Sequence, residues 1–300
     1  MGWMRGRRTR ASDPIREASM PHASDARVVF LDVDGTIMDE AARVADSTIE
    51  AVRQARANGH TVLLATGRAP GEVPDHVAAI GFDGAITAGG GYAAIGDEQV
   101  LERTMDAELV ARMVAVFQDA GVEYYLQSRE GVYPTEGVHR LYAWYLREFA
   151  GETFEGIEPH EHPRVAPLVQ REPLPTDHVA KAMFLGEDLG NFARISEALG
   201  PDFHVITGTM PNLGTASGEV SRAGVTKGAA IETLLPMLGF TAEQAIGIGD
   251  SSNDVEMFDV VGTGIAMADA VVEVRERASE STTGVLDDGI WNAFVRHGLV

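Results

Sequence analysis

The sequence predicts an α/β fold, a doubly wound parallel sheet carrying an inserted α+β domain. Three observations predict it. Short unbroken apolar runs recur near both ends of the 300-residue chain, at Val28–Leu31, Thr61–Ala65 and Gln244–Gly249, as in strands buried on both faces. Helical periodicity alternates with those runs, the pattern of a parallel sheet with crossover helices. Between the two ends, residues 89–214 differ in texture: they hold most of the aromatic residues, including Tyr124, Tyr125, Tyr133, Tyr142, Trp144 and Tyr145.

In chain order, the first strand is Val28-Val29-Phe30-Leu31, followed directly by Asp32. Ser47-Thr48-Ile49-Glu50 has capping-box spacing and predicts a helix start, with Ile49 and Val52 at helical spacing and Gly59 as the stop. Thr61 to Ala65 is the second strand, ending at Thr66-Gly67-Arg68, and the crossover between the two is expected to be right-handed. Ala85-Ile86-Thr87 is the third strand. Within the insertion, strands are expected at 122–127, 180–185 and 203–206 and helices at 106–120, 138–149 and 189–199, with proline-rich Pro159 to Pro175 as loop. After it come a helix over 224–238, a strand over 244–249 ending at Asp250, a strand over 264–267, and helices over 271–278 and 289–297. The expected domains are therefore a core of 27–88 with 215–300, and an inserted domain of 89–214.

Residues 1–26 stand apart, with net charge +2 against −23 for the remainder. They read as a disordered tail, or as sequence ahead of a natural start near Met20. The arginine pair Arg7-Arg8 lacks the apolar stretch of an export signal.

Composition narrows the function. An apolar fraction of 45% with 23% charged residues is ordinary for a soluble globular protein. No apolar run approaches the roughly 18–20 residues of a membrane span, so no membrane role and a cytoplasmic location are expected. The chain has no cysteine, which excludes disulfides, thiolate nucleophiles and cysteine-ligated zinc. A net charge of −21 argues against nucleic acid as a partner. A phosphorylated ligand would need its own local cation. Nothing in the sequence reports the oligomeric state.

Polar residues cluster where strands end. Asp32, Thr66 and Asp250 each follow an apolar strand, and in an open parallel sheet the carboxyl ends of the strands line the ligand crevice. In Asp32-Val33-Asp34-Gly35-Thr36 one carboxylate can act as nucleophile, and the other, two residues on, as general acid and base. Carboxylates so close repel each other, so a cation is expected with them, and magnesium suits an all-oxygen site beside phosphate. An Asp-Gly turn after a strand is the competing reading. Gly249-Asp250-Ser251-Ser252-Asn253-Asp254 supplies further oxygen ligands, or alternatively only a polar helix cap. Thr66 and Gly67 offer a hydroxyl and amides to a phosphoryl group, unless they are an ordinary turn. Lys227 starts a helix, where its charge opposes the helix dipole. A lysine so placed suits neutralisation of a transferring phosphoryl group. Gly247-x-Gly249 and Gly262-x-Gly264 lack the third glycine of a dinucleotide fingerprint. His160-Glu161-His162 lies among prolines and is not expected to bind zinc.

Taken in order, Asp-x-Asp-Gly-Thr, Thr-Gly-Arg, Lys-Gly and Gly-Asp-x-x-Asn-Asp resemble the haloacid dehalogenase-like phosphatase superfamily over about residues 27–300. The large insertion after the third strand resembles the Cof-type branch, subfamily IIB, with its α+β C2 cap. The resemblance implies a Mg2+-dependent phosphatase acting on a small phosphorylated metabolite, a sugar phosphate or a cofactor or nucleotide phosphate, through an aspartyl-phosphate. Asp32 would be nucleophile and metal ligand. Asp34 would be acid/base and bind metal through its carbonyl. Thr66, Gly67, Lys227 and Asn253 would hold phosphate, while Asp250 and Asp254 complete the metal site. A phosphotransferase or phosphomutase on the same phosphoenzyme is the second reading, and a receiver-like phospho-binding module the third. Two departures stand out: Gly89-Gly90-Gly91 replaces the usual Asn-Gly-Ala, removing an amide, and Ala268-Asp269 replaces Gly-Asn. The cap is expected to choose the leaving group, with Tyr and His residues between 122 and 178 as candidates.

Overall fold

The computed structural model describes residues 26–151, 153–156, 158–161, 165, 168, 173–208 and 213–300. The expected tail, apart from Ala26, lies outside them, as does His162 of the His-Glu-His stretch.

Apolar runs become the first sheet, which holds β1 (Val28–Leu31), β2 (Thr61–Ala65), β3 (Gly84–Thr87), β4 (Tyr92–Ile95) and β5 (Glu98–Glu102). The second sheet holds β6 (Glu123–Ser128), β7 (Gly131–Pro134), β8 (Lys181–Leu185), β9 (Phe203–Thr207) and β10 (Gly218–Arg222). The chain then returns to the first sheet as β11 (Ala245–Gly249), β12 (Thr263–Ala266) and β13 (Glu280–Ser281). Helices are α1 (Asp46–Ala57), α2 (Asp75–Ala78), α3 (Ala107–Ala120), α4 (Val138–Ala150), α5 (Asn191–Leu199), α6 (Lys227–Leu238), α7 (Val255–Val260), α8 (Val272–Arg277) and α9 (Gly289–Arg296).

The first sheet has the order β13-β12-β11-β1-β2-β3-β4-β5. Its strands are parallel from β13 through β3, and β4 and β5 add antiparallel at the edge. Alternation along β1 explains the double winding. Val29 and Leu31 pack on one face with α1 and α9, through Ala51, Val52, Ala55, Ile290 and Phe294. Val28 and Phe30 pack on the other with α6 and α7, through Ile231, Leu234 and Met257. Both faces are dry, so the strands read as continuous apolar runs.

The second sheet has the order β7-β6-β8-β10-β9 and is antiparallel throughout. One face, with Tyr124, Leu126, Ala182, Phe184 and Val220, packs on Met113 and Phe117 of α3 and Ile195 and Leu199 of α5. Residues of opposite parity, Gln127, Lys181, Glu219, Ser221 and His204 among them, point the other way.

Residues 92–102 hydrogen-bond to the first sheet and 218–222 to the second. The periodicity there is weak, because Ala93, Ala94 and Gly218 are small and Glu219 and Ser221 polar. One correction concerns α1, which begins at Asp46 after an extended Ala45 with no side-chain cap. The Ser47 hydroxyl is buried without a hydrogen-bond partner, so the Ser47–Glu50 capping box does not form. Asp46 instead places its charge in the first turn, where the helix dipole favours it.

Phe184 is fully buried, its ring 5.7 Å from that of Phe117. Phe184→Ala is expected to cost about 3–5 kcal/mol in urea unfolding through the cavity it leaves; a loss below about 1 kcal/mol would contradict the packing described.

Candidate functional site at the carboxyl ends of three strands

β11, β1 and β2 are neighbours in register, so the residues that follow them arrive at one place. Asp32 leaves β1 with its amide still bonded to the Ile248 carbonyl, at 3.0 Å. The chain then turns sharply. Ile37 and Met38 donate to the Val33 carbonyl, Gly35 donates to that of Met38, and Gly35 sits at φ +76°. A Cβ at Gly35 would also fall 2.3 Å from an Asp250 carboxylate oxygen, so backbone conformation and close approach both demand glycine. That turn delivers Thr36, whose hydroxyl donates to Asp250 Oδ1 at 3.0 Å.

Lys227 is the centre of the site. It is the first residue of α6, after Thr226, whose hydroxyl accepts from the Ala229 amide. Its side chain is fully buried. Its ammonium donates to Asp32 Oδ1 at 2.8 Å, Asp254 Oδ1 at 2.7 Å and Asn253 Oδ1 at 2.9 Å, using all three N–H groups. Asp254 is equally occupied, its Oδ2 accepting from the amides of Asp250 and Ser251 at 3.0 and 3.1 Å. Gly90 explains the glycine run: at φ +106° a Cβ there would lie 2.2 Å from the Thr226 carbonyl oxygen, so only glycine lets the turn after β3 pass the start of α6.

Other expected residues lie at the rim. Thr66 follows β2, buried, and its hydroxyl accepts from the Arg68 amide at 3.1 Å. Gly67 faces Asn253, whose amide nitrogen is 3.2 Å from where a Cβ would be. Asp34 does not join the carboxylate cluster; its half-exposed carboxylate is gripped at both oxygens by Arg68, at 2.7 and 2.8 Å. Arg68 also donates to the Glu72 carbonyl at 2.9 Å. Neither Arg68 as the partner of Asp34 nor Thr36 as the partner of Asp250 was expected from sequence. The Thr-Gly-Arg and Asp-Gly-Thr strings carry them, but only the fold shows whom they meet.

Ligand atoms of Asp32, Asp250 and Asp254 lie within 4.8 Å of one another. Three carboxylates therefore crowd together, and the Lys227 ammonium pairs with two of them, Asp32 and Asp254. Burial pushes Asp32 up to about 7; Lys227 offsets part of this, and Asp254 and Asp34 add to it. Burial likewise pushes Asp250 up to about 8, with Asp32 and Asp254 adding to it and Thr36 and Lys227 opposing. For Lys227, burial pulls the pKa down but the charges of Asp254 and Asp32 outweigh it, and the net shift is upward. The cluster is short of positive charge, and its donors are hard oxygens. A divalent cation of the magnesium kind fits that donor set.

Above the site the second sheet closes down. Gly89, Lys181, His204, Glu219, Asn253 and Lys227 line a crevice whose free volume is about 20 Å³, room for about one water. Of the side chains expected to meet a leaving group, Tyr124 instead packs against α3. Among the described residues no helix is long and apolar enough to cross a membrane.

Comparison with known proteins agrees with this geometry. The haloacid dehalogenase-like hydrolase family matches residues 29–294. The phosphoglycolate phosphatase of Methanothermobacter thermautotrophicus is 26% identical over 271 residues, covering 90% of this chain and 98% of its own. The Bacillus subtilis 5-amino-6-(5-phospho-D-ribitylamino)uracil phosphatase YcsE is 23% identical over 282 residues, covering 92% and 97%. The solved structure of BT1666 from Bacteroides thetaiotaomicron, a phosphatase of this superfamily, has the same fold, with a TM-score of 0.73, 21% identity and coverage of 95% and 100%.

The carboxylate pair predicts a pH-dependent response to metal. With folded pKa values above the ordinary carboxylate value, the metal-free protein binds more protons than the unfolded chain between about pH 4 and about pH 8. The pair's contribution to stability is thus full at the acid end and lost as pH rises through about 7 to 8. Magnesium replaces those protons, so its addition is expected to raise Tm more at about pH 8 than at about pH 5; equal shifts in differential scanning fluorimetry would contradict this.

With a doubly wound core, an inserted α+β cap of the Cof type and its acidic residues gathered at the strand ends, the chain belongs to the haloacid dehalogenase-like hydrolases.

Proposed function

We propose that this protein is a Mg2+-dependent phosphatase that hydrolyses a small phosphorylated metabolite through an aspartyl-phosphate on Asp32. The observation that carries the proposal is the Asp32 carboxylate, buried at the end of β1 with one oxygen held by Lys227 at 2.8 Å. Carboxylate oxygens are weak nucleophiles, and fixed geometry is what such a transfer asks of a protein.

In the first half-reaction an Asp32 oxygen attacks phosphorus as the ester P–O bond breaks, and protonated Asp34 gives its proton to the departing alkoxide, which leaves as the alcohol. In the second, Asp34 takes a proton from water, the water oxygen attacks phosphorus, and the bond to Asp32 breaks to release inorganic phosphate. Arg68 holds both oxygens of the Asp34 carboxylate, and one of them must be released for Asp34 to carry the proton. Lys227, Thr66, the Gly67 amide and the Asn253 amide group surround the place of the phosphoryl oxygens. Asp32, Asp250 and the Asp34 carbonyl would hold the magnesium, with Asp254 beside them; when bound, it neutralises charge on the nucleophile and on the phosphoryl group. Asp254, whose oxygens accept three protein hydrogen bonds, holds Lys227 and the Asp250 backbone in position. The domain assignment that goes with this reading is a cap running from about Arg103 to Arg222, inserted into a core of the remaining described residues.

The test is phosphate release from a panel of phosphate esters. Asp32→Asn is expected to lose at least roughly a thousandfold in kcat and Asp34→Asn roughly a hundredfold or more, with wild-type turnover abolished by a chelator and restored by magnesium. Equal turnover by wild type and Asp32→Asn would exclude Asp32 as nucleophile.

A further inference from the structure

The face of the second sheet turned toward the crevice carries a polar cluster that the chemistry above does not use. Gln127 and Lys181 are directly paired across β6 and β8, and Glu219 and Ser221 follow on β10, Ser221 opposite Lys181. Lys181 and Glu219 are buried and ion-paired, Nζ to Oε2 at 2.8 Å. The Lys181 ammonium stands 3.1 Å from where a Cβ of Gly67 would be, beside Thr66. The cluster therefore begins where the place of the phosphoryl group ends.

Gln127 is the informative member. It is only 3% exposed. Its amide nitrogen donates to Glu72 Oε2, at 2.5 Å, on the core turn that also receives Arg68. Its Oε1 is buried with no hydrogen-bond partner. A buried carbonyl oxygen without a donor is costly, and native structures keep such a group where something else satisfies it. Burial also pushes the Glu72 carboxyl up, against the opposing charges of Lys181 and Arg68.

We propose that Gln127, Lys181 and Glu219 are specificity-determining residues, selecting a leaving group that bears a hydroxyl and no carboxylate; this rests on the phosphatase reading. A hydroxyl donates and accepts at once, so it satisfies the Gln127 oxygen and takes a hydrogen bond from the Lys181 ammonium, which has N–H groups beyond the one given to Glu219. A carboxylate would bring a negative charge into a pocket that already holds Glu72 and Glu219. An apolar group would fill the space and leave the Gln127 oxygen desolvated without a partner.

The experiment compares kcat/KM for three esters of similar size, glycerol phosphate, n-propyl phosphate and phosphoglycolate, with p-nitrophenyl phosphate as a fourth, in wild type and Gln127→Leu. Wild type is expected to favour glycerol phosphate over propyl phosphate by at least about tenfold, and over phosphoglycolate by more. Gln127→Leu removes the unpartnered oxygen but also the donor to Glu72, so its Tm is expected to fall by a few degrees while its glycerol-to-propyl ratio falls by roughly tenfold. Glu219→Gln is expected to narrow the discrimination against phosphoglycolate, a second readout should Gln127→Leu fold poorly. A ratio near one in wild type, preference for phosphoglycolate, or an unchanged ratio in Gln127→Leu overturns the proposal. Release from p-nitrophenyl phosphate but not glycerol phosphate also overturns it and leaves the phosphatase reading standing. Release from none of the four overturns both.

Discussion

One buried ammonium holds the catalytic end of this molecule together. Lys227 comes from α6 and Asn253 and Asp254 from the segment after β11, while Asp32 follows β1, 195 residues before the lysine. All three N–H groups of the lysine are spent on them. Burying an ammonium is affordable only with such partners, and the carboxylates of Asp32 and Asp254 supply them, with Asp250 as a third carboxylate close by. The surplus negative charge then has a chemical consequence. Asp32 and Asp250 are left with protonation near neutral pH, and a divalent cation among hard oxygens is the natural counterweight.

The same constraint shapes the backbone nearby. Gly35 turns where any side chain would strike Asp250, and Gly90 passes where any side chain would strike the Thr226 carbonyl at the start of α6. Two glycines in different loops thus protect one constellation. The run Gly89-Gly90-Gly91, which on sequence grounds looked like the loss of a substrate-binding amide, is in part a packing requirement. The cap adds a third layer. Its sheet buries one face on α3 and α5 and turns Gln127, Lys181 and Glu219 toward the core, so a single antiparallel sheet serves both as domain core and as crevice roof.

Much of this was legible in the sequence, for identifiable reasons. β1, β2 and β11 are buried on both faces, so they appear as unbroken apolar runs, and the residue after each run stands at the crevice by the geometry of parallel sheets. Asp32, Thr66 and Asp250 could be found that way without any long-range information. β4, β5 and β10 were not, because small and polar residues on half-exposed strands leave no clear period. The Ser47–Glu50 spacing misled, since a capping box needs the chain to enter the helix at Ser47, and here the entry is at Ala45. Partnerships were the least legible. That Arg68 grips Asp34, or that Lys181 meets Glu219 across β8 and β10, depends on register and on how the two sheets face each other, and neither is a local property of the chain.

The central claim, that Asp32 carries the phosphoryl group, is tested most directly by trapping it. A reaction with substrate and magnesium, quenched in acid within its first turnover and digested, is expected to give the peptide containing Asp32 heavier by one phosphoryl group, with the label lost under mild base. Product formed with no labelled peptide at any time, or with the label on another residue, would contradict the account.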